Sequence, residues 1–388
     1  MKFFHLSDLH IGKQLNGYSL KNSQDAVLGQ IITYTKKEQP DAILICGDIY
    51  DKSVPSAEAF TAFDHFLTGL SEASEKTELL VISGNHDSAE RLSYASAFLK
   101  SHRIHIGALP PKNAEDRLVQ VTLSDVWGPV HFYLFPFIRP GYVRHLFEEG
   151  VVTDYDSAFR AVLSREEIRT GERNVILAHQ FFVSGSSRPE TCDSETAPFT
   201  AGGLDSIDVS ALEAFDYAAL GHLHGPQKVG EERFRYSGSP GKYSVSEEHH
   251  HKSVTVVTMG EKGTPLFLGT LPLTMTPEIR KVRGTLEEVK ALSDSYGEDY
   301  VSITLPDEEE VFDFREQLEE RYPRILEIRM DNERTRRKLQ EEIGALEIPD
   351  PVCAFAAFFE AVRHVPLSEG QEKIMREIIA EAEEEEHR

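Results

Sequence analysis

The chain has 388 residues, 40% apolar and 27% charged, which is material for two or three domains with sizeable cores. Its 41 Lys and Arg face 65 Asp and Glu, a formal net charge of −24, and this excludes a protein that grips nucleic acid by its own basic surface. No run of about 18 apolar residues is present, so no membrane span is predicted.

Four short apolar runs bounded by turn residues read as strands buried on both faces: Lys2–Leu6, Ala42–Cys46, Leu79–Ser83 and Asn174–Ala178. Periodic segments at Ser23–Lys37 and Ser56–Leu70 read as crossover helices between the first three. Asp48 follows Asp8 by 40 residues and Asn85 follows Asp48 by 37, each fitting one βα unit with its loop. From Trp127 onward the pattern turns more β-like, with strands predicted at His131–Phe137, Tyr217–Leu220, Arg233–Ser237 and Ser253–Thr258. The predicted fold class for residues 1–275 is α/β, a sandwich of two sheets flanked by helices.

Residues 276–332 read as a small α+β domain: strand Arg280–Val282, helix Thr285–Tyr296, strand Tyr300–Thr304, helix Glu308–Arg321, strand Ile325–Arg329. Residues 333–350 are mostly polar and read as a linker, and 351–388 as a helix pair. Val352–Arg363 carries Val352, Phe355, Ala356, Phe359 and Val362 on one face. Ser368 opens a capping box with Gln371, and the helix behind it has Ile374, Ile378 and Ile379 on one side before Glu383–Glu386. The charge is uneven: from Glu278 onward 16 basic residues stand against 30 acidic ones, whereas nearly all the histidines precede residue 252. The start, Met1-Lys2-Phe3-Phe4-His5, lacks a signal peptide's apolar region. Cys46, Cys192 and Cys353 are scattered, which argues against a disulfide framework and suits a reducing cytoplasm.

Five short motifs fall at the carboxyl ends of predicted strands: Asp8-Leu9-His10, Gly47-Asp48-Ile49-Tyr50-Asp51, Gly84-Asn85-His86-Asp87, Ala178-His179 and Gly221-His222-Leu223-His224. In open α/β sheets, ligands bind in the crevice beyond those ends. In an extended segment the two-residue spacing of Asp8/His10 and of His222/His224 turns each pair to one face, so each pair can clasp one ion. Seven candidate ligands result: Asp8, His10, Asp48, Asn85, His179, His222 and His224. If Asp48 bridges two divalent ions, each ion has four protein contacts and keeps open positions for water and phosphate. Two carboxylates leave such a pair of ions with a local charge of about +2, enough for an acidic protein to bind a phosphodiester. The plain alternatives are a core histidine for His179, a turn-forming aspartate for Asp51 and a solvated loop for His249-His250-His251. Asp87 reads as the cap of a following helix.

These motifs, with Ser7-Asp8-Leu9-His10-Ile11-Gly12 near the start, resemble the calcineurin-like metallophosphoesterases. Tyr236-Ser237-Gly238-Ser239-Pro240 and Ser246-Glu247-Glu248 resemble the SbcD branch, bacterial nuclease subunits that work with a coiled-coil ATPase. Gly241 departs from the pattern, where a bulkier residue is expected. The resemblance implies that Asp8, His10 and His224 hold one ion, and that Asn85, His179 and His222 hold the other, with Asp48 shared. It implies that His86 is the catalytic acid or phosphate-positioning residue and that Asp51 orients it. Manganese is the expected metal. The implied activities are a 3′-to-5′ exonuclease on duplex ends and an endonuclease on single strands and hairpins. The implied assembly is a homodimer within a heterotetramer, docked through the terminal helices onto an SbcC-like ATPase. No Gly-x-x-x-x-Gly-Lys-Ser/Thr loop exists here, so an ATPase would be a separate subunit. The rival readings are a phosphomonoesterase or cyclic-nucleotide diesterase with the same metals, and a non-catalytic DNA-end scaffold.

Overall fold

The structure, a computed structural model, describes residues 1–185, 187–195, 205–308, 313–337, 351–363, 365–368, 370–376 and 378. In chain order the principal strands are β1 (Lys2–Leu6), β2 (Ala42–Cys46), β3 (Glu78–Ile82), β4 (Ile104–Gly107), β5 (Val119–Asp125), β6 (Gly128–Phe135), β7 (Arg173–His179), β8 (Tyr217–Gly221), β9 (Gln227–Val229), β10 (Glu231–Tyr236), β11 (Ser253–Thr258) and β12 (Phe267–Pro272). Helices α1 (Lys21–Glu38) and α2 (Ala57–Ala73) connect β1 to β2 and β2 to β3, and α3 (Tyr155–Leu163) precedes β7.

Two six-stranded sheets form, in the orders β12-β11-β1-β2-β3-β4 and β9-β10-β8-β7-β6-β5. β1, β2, β3 and β4 are parallel, with Phe4 opposite Ile43 and Ile45 opposite Val81, while β11 pairs antiparallel to β1. In the second sheet β6, β7, β8 and β10 are parallel, with His179 opposite Gly221.

Alternation along each strand feeds two cores. Ala42, Leu44 and Cys46 of β2 join Phe3, Leu80 and Ile82 against Phe132, Leu134, Val175, Leu177 and Ala219 of the other sheet. Ile43 and Ile45 face the other way, into a cluster with Val27 and Ile31 of α1 and Phe63, Phe66 and Leu70 of α2. Ile176, Ala178, Ala218 and Leu220 pack outward on Phe159 and Val162 of α3. A fully buried side chain of this size stabilises by roughly 1.5–3 kcal/mol, which is why both faces of these strands read as apolar.

Helix α3 was absent from the sequence expectations. Its signature is a nine-residue amphipathic turn set off by Asp154, whose side chain accepts from Ser157 N in a capping box.

The chain divides into two units. One comprises Met1–Arg283, Glu287–Ile303 and Asp313–Ile328, and the other Gly284–Leu286, Thr304–Phe312 and Arg329–Arg388. The strands β13 (Ile279–Arg283), β14 (Tyr300–Leu305) and β15 (Ile325–Met330) form a three-stranded sheet in that order, with helices α4 (Leu286–Tyr296) and α5 (Phe314–Glu319) between them. Near the C-terminus, α6 (Pro351–Arg363) buries Val352 and half-buries Phe355 and Phe359, while Phe358 is exposed. Ser368 and Gln371 form the expected reciprocal cap, and Ile374 and Ile378 are exposed. Most of the predicted linker, the start of the predicted Glu308–Arg321 helix, the Val362 side chain, Ile379 and Glu383–Glu386 lie outside the described residues.

Candidate metal centre

The motif residues sit at or just past the carboxyl ends of parallel strands. Asp8 and His10 follow β1, Asp48 follows β2, Asn85 and His86 follow β3, His179 ends β7, and His222 and His224 follow β8. The two sheets meet along this rim, where His179 Nδ1 of one lies 2.8 Å from the Cys46 carbonyl of the other. Small residues permit the approach: a Cβ on Gly221 would fall 1.9 Å from Cys46 O.

The segments are not extended, contrary to the sequence expectation. Asp8, His10, Asp48 and His222 have φ of 54°, 44°, 49° and 105°. Non-glycine residues in this region cost of order 1–3 kcal/mol each, and such strain concentrates where side chains must be aimed. The chain turns sharply at each ligand position instead of running straight through it.

All seven candidate ligands come together. Oxygen or nitrogen atoms of Asp8, His10 and His224 lie within 4.8 Å of one another, as do those of Asp8, Asp48 and His179. His10 Nε2 and His224 Nε2 are 3.1 Å apart. Asn85 Oδ1 is 3.0 Å from both His179 Nε2 and His222 Nδ1. Asp48 Oδ2 lies between the two groups, 3.6 Å from His10 Nε2 and 3.3 Å from His179 Nε2.

Protonation follows from the partners. Cys46 O can only accept, so His179 Nδ1 carries a proton, while Nε2 faces two oxygens, Asn85 Oδ1 and Asp48 Oδ2. A cation is what balances that arrangement. Burial opposes a charged His179, but Asp48 outweighs it and pushes the imidazole pKa up to about 9. Burial favours protonating Asp48, yet His179 and His10 hold its carboxyl well below the usual range. Burial raises Asp8, and it keeps His10 and His222 neutral, the latter with a pKa near 3. The neutral imidazoles of His10 and His222, with the ionised Asp48 carboxylate and the Asn85 amide oxygen, make a donor set that fits divalent cations, one of which would take the place of the His179 Nε2 proton.

His86 stands beside this set, its ring 4.9 Å from that of His10. Its Nδ1 lies 2.9 Å from the main-chain oxygen of Asp51, and its backbone N–H donates to Asp48 Oδ1 at 2.8 Å. The Asp51 carboxylate lies 2.8 Å from Lys13 Nζ and 3.7 Å from His10 Nδ1, and one of its oxygens lies within 4.8 Å of ring nitrogens of both His10 and His86. Asp87 does not cap a helix. Its carboxylate accepts from the N–H groups of Ile49, Tyr50 and Gly84, at 2.9–3.1 Å, and so fastens the loops after β2 and β3 together. Of the three adjacent histidines, His249 and His251 are exposed and His250 is half-buried. A Cβ on Gly241 would lie 3.0 Å from Met275 Sδ, so the glycine makes room for that side chain.

The sequence profile of the calcineurin-like phosphoesterases matches residues 1–226, a span that holds all seven donors. A relative from Staphylococcus epidermidis, named as the SbcD component of the nuclease SbcCD, is 32% identical over 330 residues, 84% of each chain. The chain belongs to the SbcD family of calcineurin-like phosphoesterases. A second SbcD relative of the same name, from Staphylococcus saprophyticus, is 29% identical and covers 98% of each chain. Residues 276–363 match the profile described as the type 5 capsule protein repressor C-terminal domain. A solved dimetal phosphatase from Danio rerio aligns over 71% of this chain and 99% of its own at 12% identity, with a TM-score of 0.39.

Proposed function

We propose that this chain is the nuclease subunit of an ATP-dependent DNA-end-processing complex and cleaves phosphodiesters with two divalent ions, manganese by preference. The observation that carries the reading is the convergence of seven donors in two groups with Asp48 between them. Asp8, His10 and His224 hold one ion, Asn85, His179 and His222 the other, and Asp48 contributes to both. When bound, the ions supply Lewis-acid charge to the scissile phosphate and to the attacking water. The fixed imidazoles and carboxylates keep both ions at the rim without reorganising. His86, with Nδ1 held by the Asp51 carbonyl beside the donor set, stabilises the leaving 3′ oxygen. Asp51 orients His86 through its main chain, and its carboxylate neutralises Lys13.

Residues 1–275 form the nuclease domain, 276–332 a capping domain, and 351–388 a segment that docks on a coiled-coil ATPase like the partner that the SbcCD name implies for the relatives. The complex acts on duplex ends 3′-to-5′ and on single strands and hairpins, as a homodimer within a heterotetramer in the cytoplasm. Manganese-dependent cleavage of a 5′-labelled hairpin, with p-nitrophenyl phosphate as competitor, tests the reading. Hydrolysis of the small ester alone makes the protein a phosphatase, and metal-loaded protein that binds DNA ends without cutting makes it a scaffold. Phe359→Asp is expected to abolish co-elution with the ATPase in size-exclusion chromatography while leaving single-strand cleavage intact, because it puts an unpaired charge on the docking stripe.

A further inference from the structure

We propose that Ser194 and Glu247 are positioning residues for His224, a hydroxyl-relayed carboxylate that fixes which ring nitrogen meets the metal. The proposal rests on the two-ion reading above. Ser194 Oγ lies 2.6 Å from Glu247 Oε1 and 2.7 Å from His224 Nδ1. A serine has one proton and an ionised carboxylate can only accept, so Ser194 donates to Glu247 and accepts from His224 Nδ1–H. The lone pair of His224 is thereby assigned to Nε2, the atom 3.1 Å from His10 Nε2. Glu247 cannot do this alone: its Oε1 is 3.8 Å from Nδ1, beyond hydrogen-bond reach, and the serine oxygen fills the gap.

The relay is anchored at its far end. Glu247 is fully buried, and Lys252 Nζ donates to its Oε2 at 2.6 Å. Tyr243 N and Ser244 Oγ both donate to Oε1 at 3.1 Å. Lys252 also donates to the His224 carbonyl at 2.9 Å and to Ser239 Oγ at 2.8 Å. The segment that supplies Ser194 grips the main chain of the same histidine as well, since His224 N donates to Glu195 Oε1 at 2.6 Å. Ring and backbone of His224 are therefore held from one side by residues 194–195 and from beneath by the Glu247–Lys252 pair. A main-chain carbonyl serves His179 Nδ1, whereas a hydroxyl backed by a carboxylate serves His224 Nδ1.

The test uses the full chain and manganese alone as probe, by titration calorimetry. The wild type is expected to take two ions. Ser194→Ala should keep one ion at unchanged affinity and bind the other about 10–100-fold more weakly, the usual cost of losing such a support. Ser194→Thr, which keeps the hydroxyl, should restore it. Equal affinities in wild type and Ser194→Ala, or no recovery in Ser194→Thr, overturn the proposal. A wild type that takes no second ion overturns the two-ion reading itself, a distinguishable result. The tautomer gives a check without any relay variant: ¹⁵N spectra of imidazole-labelled wild type, with the His224 signal identified by its loss in His224→Gln, should report a proton on Nδ1. A proton on Nε2 overturns the assignment.

Discussion

Removing the ring of His86 takes away a group beside the seven donors and none of the donors themselves. His86→Ala is therefore expected to keep wild-type metal-to-protein ratios while losing about 10²–10⁴-fold in cleavage rate, the usual contribution of a general acid or base. Asp48→Ala should lower the bound metal further than His10→Ala, because Asp48 Oδ2 reaches toward both groups; metal content after dialysis compares them. At this scale the sequence was most legible where side chains carry the chemistry, and all nine candidate site residues fall in one place. It was less legible where a role depends on surroundings. His5 and His179 are both fully buried after short apolar runs. His5 spends both nitrogens on protein, Tyr217 Oη at 2.9 Å and Leu220 O at 3.1 Å, and burial holds its pKa near 3. His179 spends Nδ1 on the Cys46 carbonyl and turns Nε2 to Asn85 Oδ1 and Asp48 Oδ2, two other candidate ligands. Nothing in the sequence separates a core histidine from a ligand on that point. Main-chain supports such as the Cys46 and Asp51 carbonyls leave no residue-type signature at all.

Strands were legible in proportion to how completely they are buried. Ala42–Cys46 lies between two cores, is buried throughout and was expected with its observed bounds. The strands Val119–Asp125 and Phe267–Pro272 were missed; they stand at the ends of their sheets, where exposure and mixed polarity erase the apolar run. The loops that follow the strands hold the site through close approach as much as through ligand choice. A Cβ on Gly84 would fall 2.2 Å from Asp48 Oδ1 and 2.4 Å from Asp48 N, neither of which can yield without moving the Asp48 carboxylate. Gly84→Ala should thus cost roughly 1–3 kcal/mol of stability and weaken metal binding more than tenfold, read by thermal melts and metal titration. Gly29, exposed within α1 with nothing near its missing Cβ, is the control. Gly29→Ala should hold or raise the melting temperature, since alanine gains roughly 0.5–1 kcal/mol over glycine in a helix.

At the scale of the sandwich, the ion pair between Arg173 and Asp125 contributes to the response to acid. The Arg173 guanidinium, 2% exposed, meets Asp125 at 2.5 and 3.0 Å and also donates to the carbonyls of Gly128 and Gly260. Arg173 holds the Asp125 carboxyl well below its usual range, against the opposing effect of burial. A carboxylate depressed in the fold contributes stability that is present above its unfolded pKa of about 3.9 and is lost as pH falls from there toward the folded value. Asp125→Asn should cost about 3 kcal/mol at neutral pH, the low end for breaking a buried pair because two carbonyls remain. It should also flatten the fall in melting temperature below about pH 4; an unchanged acid slope would place the effect in other groups. The order of strands has a further consequence, one of timing. β1 sits inside its sheet, paired on one edge by β2 and on the other by β11, which is Ser253–Thr258. A ribosome adds ~5–20 residues per second, so the first strand made waits on the order of tens of seconds for its second neighbour. Through that interval a segment with four of five residues destined for burial presents one bare hydrogen-bonding edge to the cell. The nascent protein is thus open to mispairing at the strand from which two of its proposed metal ligands hang.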